Sequence, residues 1–190
     1  MRTLLSFGCA LALVASVSVV RAEELKSGLQ VGESIGAYDV EKCAGNANDG
    51  VEEGAKLCYR CKLGNRPVIA IFTRSTDESV SNLMKELDAV VAKNEEKKAA
   101  SFVNLLGESP EKMKAGAKKL VDKSKAENIA VVVPVDGDNG PEALNLNPKA
   151  DVTVLIYNKG KIEANHAIAA GKLDKKAIQA IIADTDKILK

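Results

Sequence analysis

"DVTVLIYNKGKIEANHAIAAGKLDKKAIQAII", Asp151 to Ile182, is the stretch whose reading settles the architecture. Its first half is dense in β-branched and aliphatic residues and reads as two strands on either side of Asn158–Gly160, where "NKG" supplies a tight hairpin turn. Leu173, Ala177, Ile178, Ile181 and Ile182 then fall at helical spacing, and Ile188 and Leu189 extend the apolar set. The chain therefore closes with a hairpin and a helix.

Upstream lies "DGDNGPEALNLNPKA" (136–150), a turn-rich connection, preceded by "IAVVVPV" (129–135), a β-branched run of the kind buried on both faces of a sheet. Ser109 and Pro110 open a helix that carries Met113, Ala117, Leu120 and Val121 on one face. Before it, "SFVNLLG" (101–107) and "PVIAIFTR" (67–74) read as strands. Between those two, Val80, Leu83, Met84, Leu87, Val90 and Val91 mark a helix, for which Ser75 and Glu78 form a capping box. The order is strand, helix, strand, helix, strand, hairpin, helix, with no internal repeat.

This order and the terminal stretch resemble the thioredoxin-like superfamily, whose members close with a hairpin of the "PTLLLFKNGEV" kind and a final helix. The lead-in "LQVGESIGAYDV" (29–40) is similar to the redoxin or peroxiredoxin branch. The resemblance implies an α/β fold: a three-layer sandwich with a central mixed β-sheet and an N-terminal β extension. It also exposes departures. Where thioredoxins carry Cys-x-x-Cys and peroxiredoxins their peroxidatic cysteine, this chain has "TRSTDES", with Thr73, Ser75 and Thr76. Val152 stands where thioredoxins have a proline, and the chain has no Trp. Peroxidase turnover is not expected, because a hydroxyl offers no thiolate to a peroxide.

The N-terminus "MRTLLSFGCALALVASVSVVRA" combines an early Arg, an apolar run from Leu4 to Val20 and a small-residue end, the layout of a secretory signal peptide cleaved after Ala22. Cys9 leaves with it. The expected organisation is a signal peptide at 1–22, an N-terminal β extension carrying the cysteines at 23–66 and a thioredoxin-like core at 67–190. The compartment is extracytoplasmic, periplasmic or secreted, where disulfides persist. Loss of Arg2 and Arg21 takes the net charge from +1 to about −1, so neither nucleic acid nor an anionic membrane surface is implied as a partner.

Cys43, Cys58 and Cys61 remain, in a polar segment that ends "KLCYRCKLGNRP" (56–67). Arg60, Lys62 and Arg66 are cations of the sort that favour a thiolate. If "LCYRC" is extended, the Cys58 and Cys61 Cα atoms lie about 10 Å apart at ~3.3 Å per residue, beyond the roughly 4.4 to 6.8 Å a disulfide tolerates. Their pairing then demands a turn; otherwise Cys43 pairs with one of them, closing a loop of about fifteen residues for ~3 kcal/mol. "KLGNRP" gives no sign of a helix at Cys61.

Three readings follow. Cys58 and Cys61 form a redox pair, with Cys43 as resolving or stapling partner; or the cysteines are a structural disulfide in a binding module that lacks a reaction centre; or Cys43, Cys58, Cys61 and His166 hold zinc. One Cys-x-x-Cys is weak evidence for a metal, and His166, the single histidine, fits an ordinary hydrogen-bonded strand position. Lys62 follows Cys61, so the haem-attachment pattern is absent, and Asp136, Asp138 and Asn139 lack the closing Glu of a calcium loop. No cofactor is implied. For the redox reading the partners are protein thiols or disulfides and a reductant protein.

Overall fold

The computed structural model describes residues 25–190. The expected signal peptide and Cys9 lie outside them. No described helix is long and apolar enough to cross a membrane.

Among the described residues seven strands form one sheet: β1 (Val40–Gly45), β2 (Lys56–Leu57), β3 (Val68–Thr73), β4 (Ala100–Leu105), β5 (Ile129–Pro134), β6 (Ala150–Asn158) and β7 (Lys161–Ala169). Their order is β2-β1-β5-β4-β3-β6-β7. The centre, β5-β4-β3, is parallel, as its helical crossovers require, and β6 returns antiparallel beside β3. β3 is buried along its whole length, in keeping with its uninterrupted β-branched sequence. The hairpin turns at Lys159 and Gly160, both with positive φ (52° and 77°), the conformation a two-residue turn needs and "KG" permits. β1 and β2 extend this same sheet antiparallel from β5.

Among the described residues four α-helices complete the fold: α1 (Tyr59–Leu63), α2 (Glu78–Lys93), α3 (Pro110–Ser124) and α4 (Lys175–Asp184). The apolar faces of α2, α3 and α4 pack together on one side of the sheet, through Leu83, Met84, Leu87, Leu120, Ile178 and Ile181. The opposite side is covered by α1 with the segments around Leu29–Tyr38 and Leu144–Leu146, packed on Phe72, Phe102, Leu155 and Tyr157. The third layer is thus built mainly of irregular chain and one helical turn. Ile188 and Leu189 are buried just beyond α4 instead of on it.

Two local expectations are corrected. The cap of α2 is Asp77, whose carboxylate accepts from Val80 N at 3.0 Å. Ser75 is instead held in a side-chain turn with Thr73, where Ser75 N donates to Thr73 Oγ1 at 3.1 Å, so the helix begins later. Second, "CYRCKL" does not run straight into β3: it forms α1, with Cys58 as its cap.

At β1 the register shifts between Lys42 and Ala44. This bulge sends Cys43 and Ala44 into the core beneath α3, while Val40 packs on the α1 side. Gly45 follows with φ 77°, and a Cβ there would meet Ile129 O at 2.3 Å, so only glycine lets the strand close onto β5.

Candidate thiol–disulfide site

β2 delivers Cys58 to the start of α1, and one helical turn brings Cys61 back over it. The Cα atoms are 5.2 Å apart and the two sulfurs are bonded. The extended alternative is thereby excluded, because a turn shortens the reach of three residues into the disulfide range. Cys58 Sγ also accepts a hydrogen bond from Cys61 N at 3.0 Å. Cys61 is exposed, whereas Cys58 is only partly so.

The residues between the cysteines hold the turn from below. Tyr59 is buried and stacks on Phe102 with ring centroids 5.3 Å apart. Its hydroxyl donates to Asp49 Oδ2 at 2.5 Å, and burial, then Asp49, pushes its pKa up. Asp49 Oδ1 in turn accepts from Lys42 Nζ at 2.7 Å, and Lys42 also donates to the carbonyls of Asn46 and Val51, each at 2.8 Å. Lys42 is 1% exposed, and its three hydrogens find three acceptors. Arg60 reaches away from the sulfurs: Nε donates to Ile35 O at 3.2 Å and Nη1 to Gly64 O at 3.3 Å. Its guanidinium passes over Gly160 at the hairpin turn. Lys62 and Arg66, the other two cations named for this turn, are exposed.

Cys43 is not near this turn. It is 6% exposed on the α3 side of the sheet, its Sγ 3.4 Å from Glu41 O, and is the described cysteine outside the disulfide. Burial, reinforced by Glu41, pushes its thiol up to about 11. Tyr59, between the bonded cysteines, and Leu63, just after them, belong to the opposite face. The zinc candidates are likewise dispersed: Cys43 is buried under α3, Cys58 and Cys61 bond each other, and His166 on β7 pairs its Nε2 with Asp184 Oδ2 at 3.0 Å. Among the described residues no group of three or more His, Cys, Asp and Glu is placed to hold a metal.

The end of β3, where the family resemblance places the reactive cysteine, has a different chemistry. Arg74 N donates to Asp151 O at 3.0 Å and Arg74 Nε to Ala150 O at 3.2 Å, and the guanidinium meets Asn139. Asp138 and Asp136, weighed as calcium ligands, are exposed, while Asn139 Nδ2 donates to Leu146 O at 2.7 Å. Burial raises Asp151, with Asp77 adding to it. β3 spans roughly 17 Å at ~3.3 Å per residue, and the disulfide belongs to the chain entering that strand, not to the chain leaving it.

Comparison with solved structures gives one consistent answer. The fold is thioredoxin-like. A candidate thiol:disulfide interchange protein DsbE from Chlorobium tepidum aligns at 15% identity over 83% of this chain and 99% of its own, with a TM-score of 0.57. AhpC of Mycobacterium tuberculosis aligns at 12% over 83% and 92%, TM-score 0.58. A secreted Mycobacterium tuberculosis disulfide oxidoreductase, described as homologous to Escherichia coli DsbE, aligns at 11% over 78% and 94%, TM-score 0.55. No family model and no curated protein matches the sequence. The likeness to the thioredoxin-like fold is thus carried by backbone.

Sequence reasoning missed Lys42 and Asp49. The first had a signal: a lysine two residues from Val40 shares that residue's face of a strand by alternation, and a buried ammonium demands an acid.

Proposed function

We propose that the chain is an extracytoplasmic thiol–disulfide oxidoreductase that works through Cys58 and Cys61 on protein thiols or disulfides, with an exported dithiol protein as redox partner. The observation that carries this reading is a disulfide closed across one helical turn, with Cys61 an exposed residue. A bridge between residues three apart removes little freedom from the unfolded chain, roughly 2 kcal/mol in the chain-entropy model. That is poor service for a staple, whereas an accessible cysteine is where exchange begins. The fold likeness to a secreted disulfide oxidoreductase supports the same reading. Export rests on the signal-like N-terminus, and N-terminal sequencing of the native protein, expected to begin near Glu23, tests it.

A second reading keeps the fold as a binding module with an inert disulfide. It is favoured by the hydrogen bonds that tie Arg74 to Ala150 and Asp151 and close the usual reaction position, and by the buried anchor under Tyr59. An insulin reduction assay, with a thiol count before and after mild reductant, separates the two. Reduction of the native bridge by millimolar dithiothreitol and turnover lost in both Cys58→Ser and Cys61→Ser support exchange. A bridge that opens only in denaturant, with no turnover, establishes the inert module.

A further inference from the structure

We infer that the polarity of this pair is fixed: Cys61 is the sulfur that forms the mixed disulfide with the substrate, and Cys58 is the leaving and resolving sulfur. The inference rests on the exchange reading above and assigns the roles within it.

Three observations carry it. Access is unequal, because Cys61 is exposed and Cys58 partly covered, and exchange requires an attacking sulfur in line with the bond it breaks. Anchoring is unequal too. Cys58 directly follows Leu57, which is paired with Val40 in the sheet, and precedes Tyr59, which is pinned by Phe102 and Asp49. Cys61 lies on the outer side of the turn, followed by exposed Lys62. Finally, Cys58 Sγ already accepts the Cys61 amide hydrogen at 3.0 Å. That bond becomes charge-assisted when Cys58 is a thiolate, so it steadies Cys58 as the departing group when the bridge opens; the order of attack in the reduced pair rests on access.

In the oxidising direction a substrate thiolate attacks Cys61 Sγ. The Cys58–Cys61 bond breaks, a substrate–Cys61 disulfide forms, and the electron pair leaves on Cys58. A second substrate thiolate then attacks the substrate sulfur of the mixed disulfide, its own disulfide forms, and Cys61 departs as thiolate. The substrate has lost two electrons and the pair has gained them. Reoxidation is the reverse sequence with a disulfide-bearing partner protein: Cys61 attacks, and Cys58 releases the reduced partner by closing on Cys61.

The test uses the mature chain carrying Cys43→Ser, so that only this pair reacts. Cys58→Ser and Cys61→Ser are each added, and mixed-disulfide formation with oxidised glutathione is timed by intact mass. Serine retains the capping role at position 58. The variant that keeps Cys61 should react at least about tenfold faster than the one that keeps Cys58. Limited alkylation of the reduced pair, mapped by peptide mass, should modify Cys61 first and guards against altered folding of either variant. Equal rates, or Cys58 first, with insulin turnover intact, overturn the polarity alone. A native bridge that resists reductant and shows no turnover overturns the exchange reading and the polarity with it.

Discussion

The Tyr59 hydroxyl and Asp49 Oδ2 lie 2.5 Å apart, and the other oxygen of that carboxylate is held by Lys42 Nζ at 2.7 Å. A residue between the two cysteines is thereby tied, through one half-buried acid, to a strand that pairs with β5. The chain from Asn46 to Val51 is gathered around the same ammonium, so the polar loop and the disulfide turn share a support.

Breaking that support should be costly. Lys42→Met leaves the Asp49 carboxylate without its cation and two carbonyls without a donor, and should lose ~3–5 kcal/mol in urea melts. Tyr59→Phe removes one hydrogen bond to a charged group and should lose about 1.5–3 kcal/mol. A Lys42→Met melt indistinguishable from wild type would show that the network contributes nothing.

Gly45→Ala combines left-handed backbone strain with a contact against Ile129 O, and should cost more than about 2 kcal/mol. Gly32, also at positive φ (93°) but with nothing within 4 Å of a Cβ, isolates the strain and should cost about 1–2 kcal/mol as alanine. Equal losses at the two sites would remove the steric part of the argument.

The hairpin, the three core strands and both long helices were legible because each spans enough residues for its period to show, and because "NKG" names its own turn. α1 was not legible. Five residues make little more than one turn, too few for a helical period to emerge, and Gly64, Asn65 and Pro67 advertise a loop. The cap of α2 was misplaced because Ser75 satisfies its local hydrogen bonds with Thr73, which no spacing rule weighs against Asp77. At the site itself the Cys-x-x-Cys was visible, but its closure was not, since extended and helical chain between the same two residues differ by nearly twofold in reach.

His166 should make stability fall in mild acid. Burial lowers its pKa from 6.5; Asp184 pulls the other way but is shared with Lys187 Nζ at 2.8 Å, so burial prevails. With the folded value below the unfolded one, the unfolded chain binds the proton first. This contribution is fully present above the unfolded pKa and is lost as pH falls through the lowered folded value. His166→Gln should flatten the melt-versus-pH curve just below pH 6.5; an unchanged slope there would rule the histidine out.

Tyr157 is fully buried, and its hydroxyl finds no hydrogen-bond partner among the described residues. Tyr157→Phe therefore removes a desolvated polar atom and should be neutral or stabilising by up to about 1 kcal/mol. A clear loss in urea melts would reveal a partner for that hydroxyl in solution.

Cys43 should stay silent in exchange. The sheet lies between it and α1, its side chain is packed under α3, and its thiol is pushed up to about 11, so almost none is thiolate at neutral pH. Iodoacetamide should leave Cys43 unmodified in the native protein at pH 8 and modify it readily in denaturant. Cys43→Ser should lower stability by about 1–3 kcal/mol, the cost of placing a hydroxyl among apolar neighbours, while insulin turnover and the Cys58–Cys61 bond persist. Because stability and turnover are read separately, the outcomes do not overlap. Turnover lost in a Cys43→Ser protein that still melts cooperatively would mean that the third cysteine reaches the pair, and that β1 must leave the sheet during the reaction.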